Sequence, residues 1–286
     1  MTSIEQIILS HDRRGVSALR RYLPVRFCHE AAAFVLQTGS RRRKVAVVTT
    51  GFYVHSACAP ETDGPPGALA IGRALHMLGF QVIYVTDECT MPLFSADIVG
   101  TAEAVDFPIA DHDYSRSFAL DFLAEVRPSV LIAVERCGLD CNRQYSNMRG
   151  EDITPHTAKV DYLFTGRDNT LAVGDGGNEI GMGNLAQYIP AVDSLPRSPA
   201  LTSVTKLVIA SVSNWGAYGL VAALSRLVKQ NLLPSVQWER EMITEMVSRG
   251  AVDGTSGERQ QAVDSFDLDH NAWALTQLQR LLATEI

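Results

Sequence analysis

The densest chemical signal in the chain is Gly174-Asp175-Gly176-Gly177-Asn178-Glu179-Ile180-Gly181-Met182-Gly183, five glycines in ten residues with two carboxylates and an amide among them. Glu179 stands where the third glycine of a Gly-x-Gly-x-x-Gly fingerprint belongs, and no Gly-Lys follows to make a phosphate loop. The alternating carboxylates of an EF-hand are absent as well. The plain reading is a glycine turn. The functional one is that Asp175 and Glu179, four apart, begin a helix that aims both at one point, with Asn178 beside them. Such a group suits a hard cation or an amine.

Two further acidic stretches stand in similar settings. Glu61-Thr62-Asp63-Gly64-Pro65-Pro66-Gly67 opens a helical pattern, with Pro where the first turn needs no N–H. Thr62 or Asp63 reads as the N-cap, which leaves the second carboxylate, Glu61, without a structural duty. Glu135-Arg136 follows a β-branched run and reads as a plain ion pair, or as a catalytic acid beside a guanidinium that clamps a carboxylate. Tyr145-Ser146-Asn147-Met148-Arg149-Gly150 adds hydrogen-bonding groups in a turn-rich stretch, and Asn214 in Ser213-Asn214-Trp215-Gly216 reads as a helix cap with room for a ligand contact. No histidine sits in a catalytic context, and His76 falls on the exposed face of its helix.

These residues need elements to hold them. Val45–Thr50, Gln81–Thr86, Ser129–Val134 and Lys206–Ala210 read as short buried strands. Helical spacing marks the first forty-odd residues, the stretch from Ala68 to Leu78 that closes near Gly79, and Ser115–Val126, Gly216–Lys229, Val236–Val247 and Asn271–Leu282. Alternation of this kind predicts an α/β fold with a largely parallel sheet flanked by helices, and a ligand site at the C-terminal ends of the strands. We expect one domain over residues 1–286, with 1–43 a helical extension.

Composition narrows the classes. With 32 acidic against 25 basic residues the net charge is -7, which argues against a nucleic-acid footprint. Five cysteines without a Cys-x-x-Cys read as reduced thiols; Cys137 and Cys141 would share a helix face, with nothing to complete a zinc site. Glu5 and Asp12 interrupt any signal peptide, so a cytoplasmic protein is expected. The longest uncharged run, between Lys206 and Arg226, is broken by Ser211, Ser213, Asn214 and Gly216, and reads as strand, turn and helix and not as a membrane span.

Taken together, Thr50-Gly51-Phe52, Glu61-Thr62-Asp63-Gly64-Pro65, Glu135-Arg136, Gly174-Asp175-Gly176-Gly177-Asn178-Glu179 and Ser213-Asn214-Trp215-Gly216 resemble the D-glutamate cyclase C-terminal domain family, and Arg14-Gly15-Val16 is similar to its opening segment. The resemblance implies ring closure of D-glutamate to 5-oxo-D-proline with loss of water, by one part of an architecture that in vertebrates carries an additional N-terminal domain. Glu135 and Arg136, with Glu61, are then the catalytic candidates; Gly64, Arg149, Asn178 and Asn214 would bind substrate. Asp63, Asp175 and Glu179 would hold a divalent cation, Mg²⁺ or Mn²⁺. The implied partner is a small amino acid or acid; nucleic acid and membrane are not expected, and a homo-oligomer is left open. A different metal-dependent hydrolase of a small amide or phosphate, or a non-catalytic binder of metal or small acid, would use the same carboxylates.

Overall fold

The computed structural model describes residues 3–39 and 43–286. Six strands build one sheet: β1 (Val45–Gly51), β2 (Gln81–Thr86), β3 (Glu103–Asp106), β4 (Val130–Arg136), β5 (Thr170–Gly174) and β6 (Lys206–Ile209). All pairings are parallel, in the order β3-β2-β1-β4-β5-β6. Every residue of β1, β4 and β5 is buried, which is why these strands read as continuous apolar runs and not as alternation. Among the described residues eight α-helices accompany the sheet: α1 (Ile4–Ile8), α2 (Phe27–Thr38), α3 (Pro65–Met77), α4 (Ala96–Val99), α5 (His112–Val126), α6 (Ser213–Val228), α7 (Val236–Ser248) and α8 (Leu268–Ala283).

The strand order reverses between β1 and β4. A doubly wound sheet opens a crevice at the carboxyl ends of the strands at that point. α3 and α6 both start there and pack on each other. Their approach is close because position 67 carries no side chain: a Cβ at Gly67 would lie 2.8 Å from that of Ala217 and 2.9 Å from Asn214 Oδ1.

Of the expected 1–43 extension, residues 1–2 and 40–42 lie outside the described residues. The rest is packed into the body. Ile4, Ile7 and Ile8 of α1 join the same apolar core as β1 and α6, and the Ser211 N–H donates to the Ile8 carbonyl (2.9 Å). The segment between α1 and α2 contains Arg14, which runs back to the carboxyl ends of the strands.

Some expectations shift. α6 begins at Ser213, three residues before the expected start, and α8 at Leu268. No helix spans Cys137 and Cys141; the first thiol is buried, the second exposed, and all five cysteines are free. His76 is exposed, as its helical position required. Among the described residues no helix is long and apolar enough to cross a membrane.

Candidate active site

Strand pairing places the first carboxylate. Thr50 pairs with Val134 but Gly51 pairs with Arg136, so Glu135 is an extra residue at the end of β4. Its φ of 43° is left-handed, a strained backbone for a non-glycine residue. A bulge of this kind re-aims a side chain. Here Glu135 lines a cavity of about 260 Å³ and Glu135 Oε2 accepts a 2.5 Å hydrogen bond from Ser213 Oγ.

Asp63 and Asn214 form a reciprocal pair of caps. The Asp63 carboxylate accepts from the backbone N–H groups of Ser213 and Asn214 (2.8 Å each), closing the start of α6 and explaining its early beginning. Asn214 Oδ1 in turn accepts from Gly64 N and Gly67 N (3.1 and 2.7 Å) at the start of α3. The local cap expected of Asp63 or Thr62 on α3 is thus corrected: Gly64, at φ 96°, is the N-cap, and the capping oxygen comes from 150 residues away. Asn214 and Gly64 lie in this joint beneath the cavity, not among the residues that line it.

The glycine-rich stretch forms no helix at Asp175. Glu179 folds back on its own loop, and its carboxylate accepts from the N–H groups of Gly176 (2.5 Å) and Gly177 (2.6 Å) and, more weakly, Asp175 (3.3 Å). Three successive backbone donors make an anion nest that holds the side chain. Of the loop's two carboxylates, Asp175 alone lines the cavity. Asp175 Oδ2 pairs with Arg14 Nη1, while Asp175 Oδ1 is buried without a partner. Asn178 lines the cavity and donates to the Ser146 carbonyl (2.8 Å).

Arg136 points elsewhere. Only 1 % exposed, it pairs with Asp87 (2.6 Å) and donates to the carbonyls of Gly51 (3.0 Å) and Ala158 (2.8 Å). It does not line the cavity, so the expected carboxylate clamp is not where the structure puts this guanidinium. The guanidinium inside the site is that of Arg14, which bridges Asp175 and Asp264 (2.5 Å to the latter). A second, Arg149, is exposed at the cavity rim.

Sequence reasoning gave no role to Arg14 or Asp264. Arg14 is 161 residues from one partner and 250 from the other. The available signal was the turn that fixes it: Asp12 accepts from the N–H groups of Arg14, Gly15 and Ser17 (3.0, 2.7 and 2.8 Å), with Gly15 at φ 80°. Asp264, at φ 52°, tips a short antiparallel hairpin of Ala262–Val263 and Phe266–Asp267, and Asp264 Oδ2 is buried without a partner.

Buried carboxylates therefore outnumber cations around this cavity. Burial raises the Glu135 carboxyl well above its usual range, helped by Glu179 and Glu61. Burial raises Glu61 likewise, with Asp264 and Asp63 adding to it. Asp175 is raised by burial despite Arg14. Asp63 is pushed up to about 7 by burial and Asp264, held back by the Asn214 and Ser213 N–H groups. Among the described residues, Asp63, Glu135 and Asp175 form the one group whose ligand oxygens lie within 4.8 Å of one another. Three hard oxygens, with a buried unpartnered one at Asp175, fit a small divalent cation.

A stability prediction follows from these shifts. Each raised carboxyl binds a proton more tightly in the folded chain than in the unfolded one. The stability it contributes is complete below the unfolded pKa near 4 and is lost as pH climbs through the folded value, about 7 for Asp63. Glu239 on α7, pushed to about 7 by burial, has the same sign. In chelator, the thermal midpoint should fall by several degrees between pH 5 and pH 8, and millimolar Mg²⁺ should flatten the slope. A midpoint that is level or rises over that range contradicts the buried like-charge cluster.

Sheet, crevice and side chains define an α/β protein with a small, acid-lined cavity at the switch point of a doubly wound sheet. The family model described as D-glutamate cyclase-like, C-terminal, matches residues 4–279, and the chain belongs to that family. It is 29 % identical over 272 residues to D-glutamate cyclase, mitochondrial, of Homo sapiens, a match covering 80 % of this chain and 44 % of that protein. The chain spans less than half the length of this curated relative.

Proposed function

We propose that this chain cyclises D-glutamate to 5-oxo-D-proline. The observation that carries the reading is the joining, in one cavity of about 260 Å³, of several buried carboxylates with guanidinium groups. That volume lies at or below the small end of ligand sites and suits a single amino acid better than a nucleotide. Family membership and the name of the human relative agree with it.

The reaction forms a bond from the α-nitrogen to the γ-carbon, breaks one γ-carbon–oxygen bond and releases water. A carboxylate is a poor electrophile, so negative charge on the γ-carboxyl must be neutralised. Asp63 and Asp175 would hold the divalent cation, which when bound polarises the γ-carboxyl. Glu135, whose carboxyl burial and its acidic neighbours raise, donates a proton to the departing oxygen; two protons leave the α-ammonium as it becomes the ring amide, one completing the released water and one returning to Glu135. Ser213 Oγ fixes the orientation of that carboxyl, and Asn178 on the cavity wall orients the substrate.

The test is incubation of metal-defined protein with D- and L-glutamate, with 5-oxoproline separated by chiral chromatography. Product from the D form alone, abolished by chelator, is expected. No product from either, in folded protein that still binds Mg²⁺ or Mn²⁺, overturns the cyclase reading. It would turn attention to amide or phosphate hydrolysis, or to simple binding, by the same carboxylates.

A further inference from the structure

Glu61 is not accounted for by the cation group or by the fold. Its backbone is fixed: the Glu61 N–H donates to the Phe52 carbonyl (3.1 Å), and the next N–H, of Thr62, donates to Val252 O (2.9 Å). Its side chain is not. The residue is 7 % exposed and lines the cavity, yet Glu61 Oε1 has no hydrogen-bond partner. The chain makes room for it, because a Cβ at position 254 would collide with Glu61 Oε2 and the residue there is Gly254. A buried carboxylate with an open lone pair is costly unless something supplies a donor. Arg14 is already committed to Asp175 and Asp264. Glu61 stands outside the Asp63–Glu135–Asp175 group, so a cation held there does not satisfy it.

The missing partner is a donor that enters with the ligand. At the other side of the cavity's polarity stands Arg149, exposed and with no side-chain hydrogen bond among the described residues. Among the groups that line this space, the Glu61 carboxyl and the Arg149 guanidinium stand open, and a charged amine beside Glu61 would draw that buried carboxyl into its ionised form. We propose that Glu61 is the ammonium receptor of this cavity and Arg149 its outer carboxylate contact, so that the amine of an amino-acid ligand is selected on binding and not only by the chemistry that consumes it. Hydroxy diacids and plain diacids of the same length are discriminated against, because neither brings the charged donor that Glu61 lacks. This rests on the cavity being an amino-acid site, as proposed above, and adds which groups read the amine and the acid.

Calorimetric titration of the wild-type protein with D-glutamate, D-2-hydroxyglutarate and glutarate in Mg²⁺ tests it, with 5-oxoproline assayed in the same cell. D-Glutamate should bind at least ten-fold more tightly than either analogue. Glu61→Gln should reduce that preference to within about three-fold while leaving glutarate binding intact, and Gly254→Ala, whose methyl falls on Glu61 Oε2, should act the same way. Equal binding of the three acids to the wild type, no binding of D-glutamate, or an undiminished preference in folded Glu61→Gln each overturns the inference. Glu61-dependent glutamate binding without product would retire the cyclase reading alone. Product formation with the amine preference intact in Glu61→Gln would retire this inference alone.

Discussion

Replacing Arg136 by Met should unfold this protein far more readily than it alters substrate affinity. The guanidinium is 1 % exposed, and its partner Asp87 is 4 % exposed. Removing one member of a buried pair leaves the other charge without its counter-ion, which costs about 3–5 kcal/mol. Two carbonyls, of Gly51 and Ala158, also lose their donor. One N–H, that of Ala158, still reaches Asp87 (3.3 Å), a weak contact that offsets little. The expected result is a drop of roughly 10 °C in the thermal midpoint, together with loss of the register that presents Glu135, since Arg136 is the residue paired with Gly51 across the bulge. Asp87→Leu in the same chain should recover much of the loss, because an apolar pair of similar volume avoids the stranded charge. A substrate clamp predicts the opposite pattern: a raised KM at an unchanged midpoint. Thermal unfolding and steady-state kinetics on the single and double variants separate the two.

The sheet was largely legible because its central strands are buried on both faces. Gln81–Thr86 is bounded in the structure as the β-branched run suggested. β3 and β5 were not. β3 is a four-residue edge strand that is only partly buried, so Glu103 and Asp106 hide its pattern. β5 is short and its last residue is the first glycine of the glycine-rich stretch, which masks the strand that delivers Asp175. The site was legible in its parts and not in its partnerships. Spacing of four suggested that Asp175 and Glu179 act together, but helical spacing has force only on a helix. Gly177, at φ 102°, turns the chain so that Glu179 meets backbone N–H groups. Likewise a cap is read locally from sequence, whereas Asp63 and Asn214 exchange caps across 150 residues. No local pattern encodes such a pairing, and the same distance kept Arg14 and Asp264 out of view.

Glu135→Gln should cut turnover by about 10²–10⁴ at little cost to the fold. The side chain keeps its size, and an amide oxygen can still accept from Ser213 Oγ. The charge it loses is one that burial, Glu179 and Glu61 all disfavour. Removing a carboxyl of this kind relieves repulsion at high pH, so the variant should be as stable as the parent at pH 5 and more stable at pH 8. The sign follows because a raised pKa is a penalty on the folded state once the group ionises. Activity moves the other way. A carboxamide cannot give a proton to the departing oxygen, and loss of a general acid costs about 10²–10⁴ in rate. If Glu135 acts as the acid and not as a cation ligand, the loss should appear in kcat with KM nearly unchanged, since Glu61 and Arg149 still line the cavity. The wild-type rate should fall as pH rises through the raised pKa of Glu135, and the residual rate of the variant should lose that limb. A variant that retains turnover within about three-fold of the parent, or that keeps the same alkaline limb, would take the proton away from Glu135 and leave the strained bulge at the end of β4 without a catalytic reason.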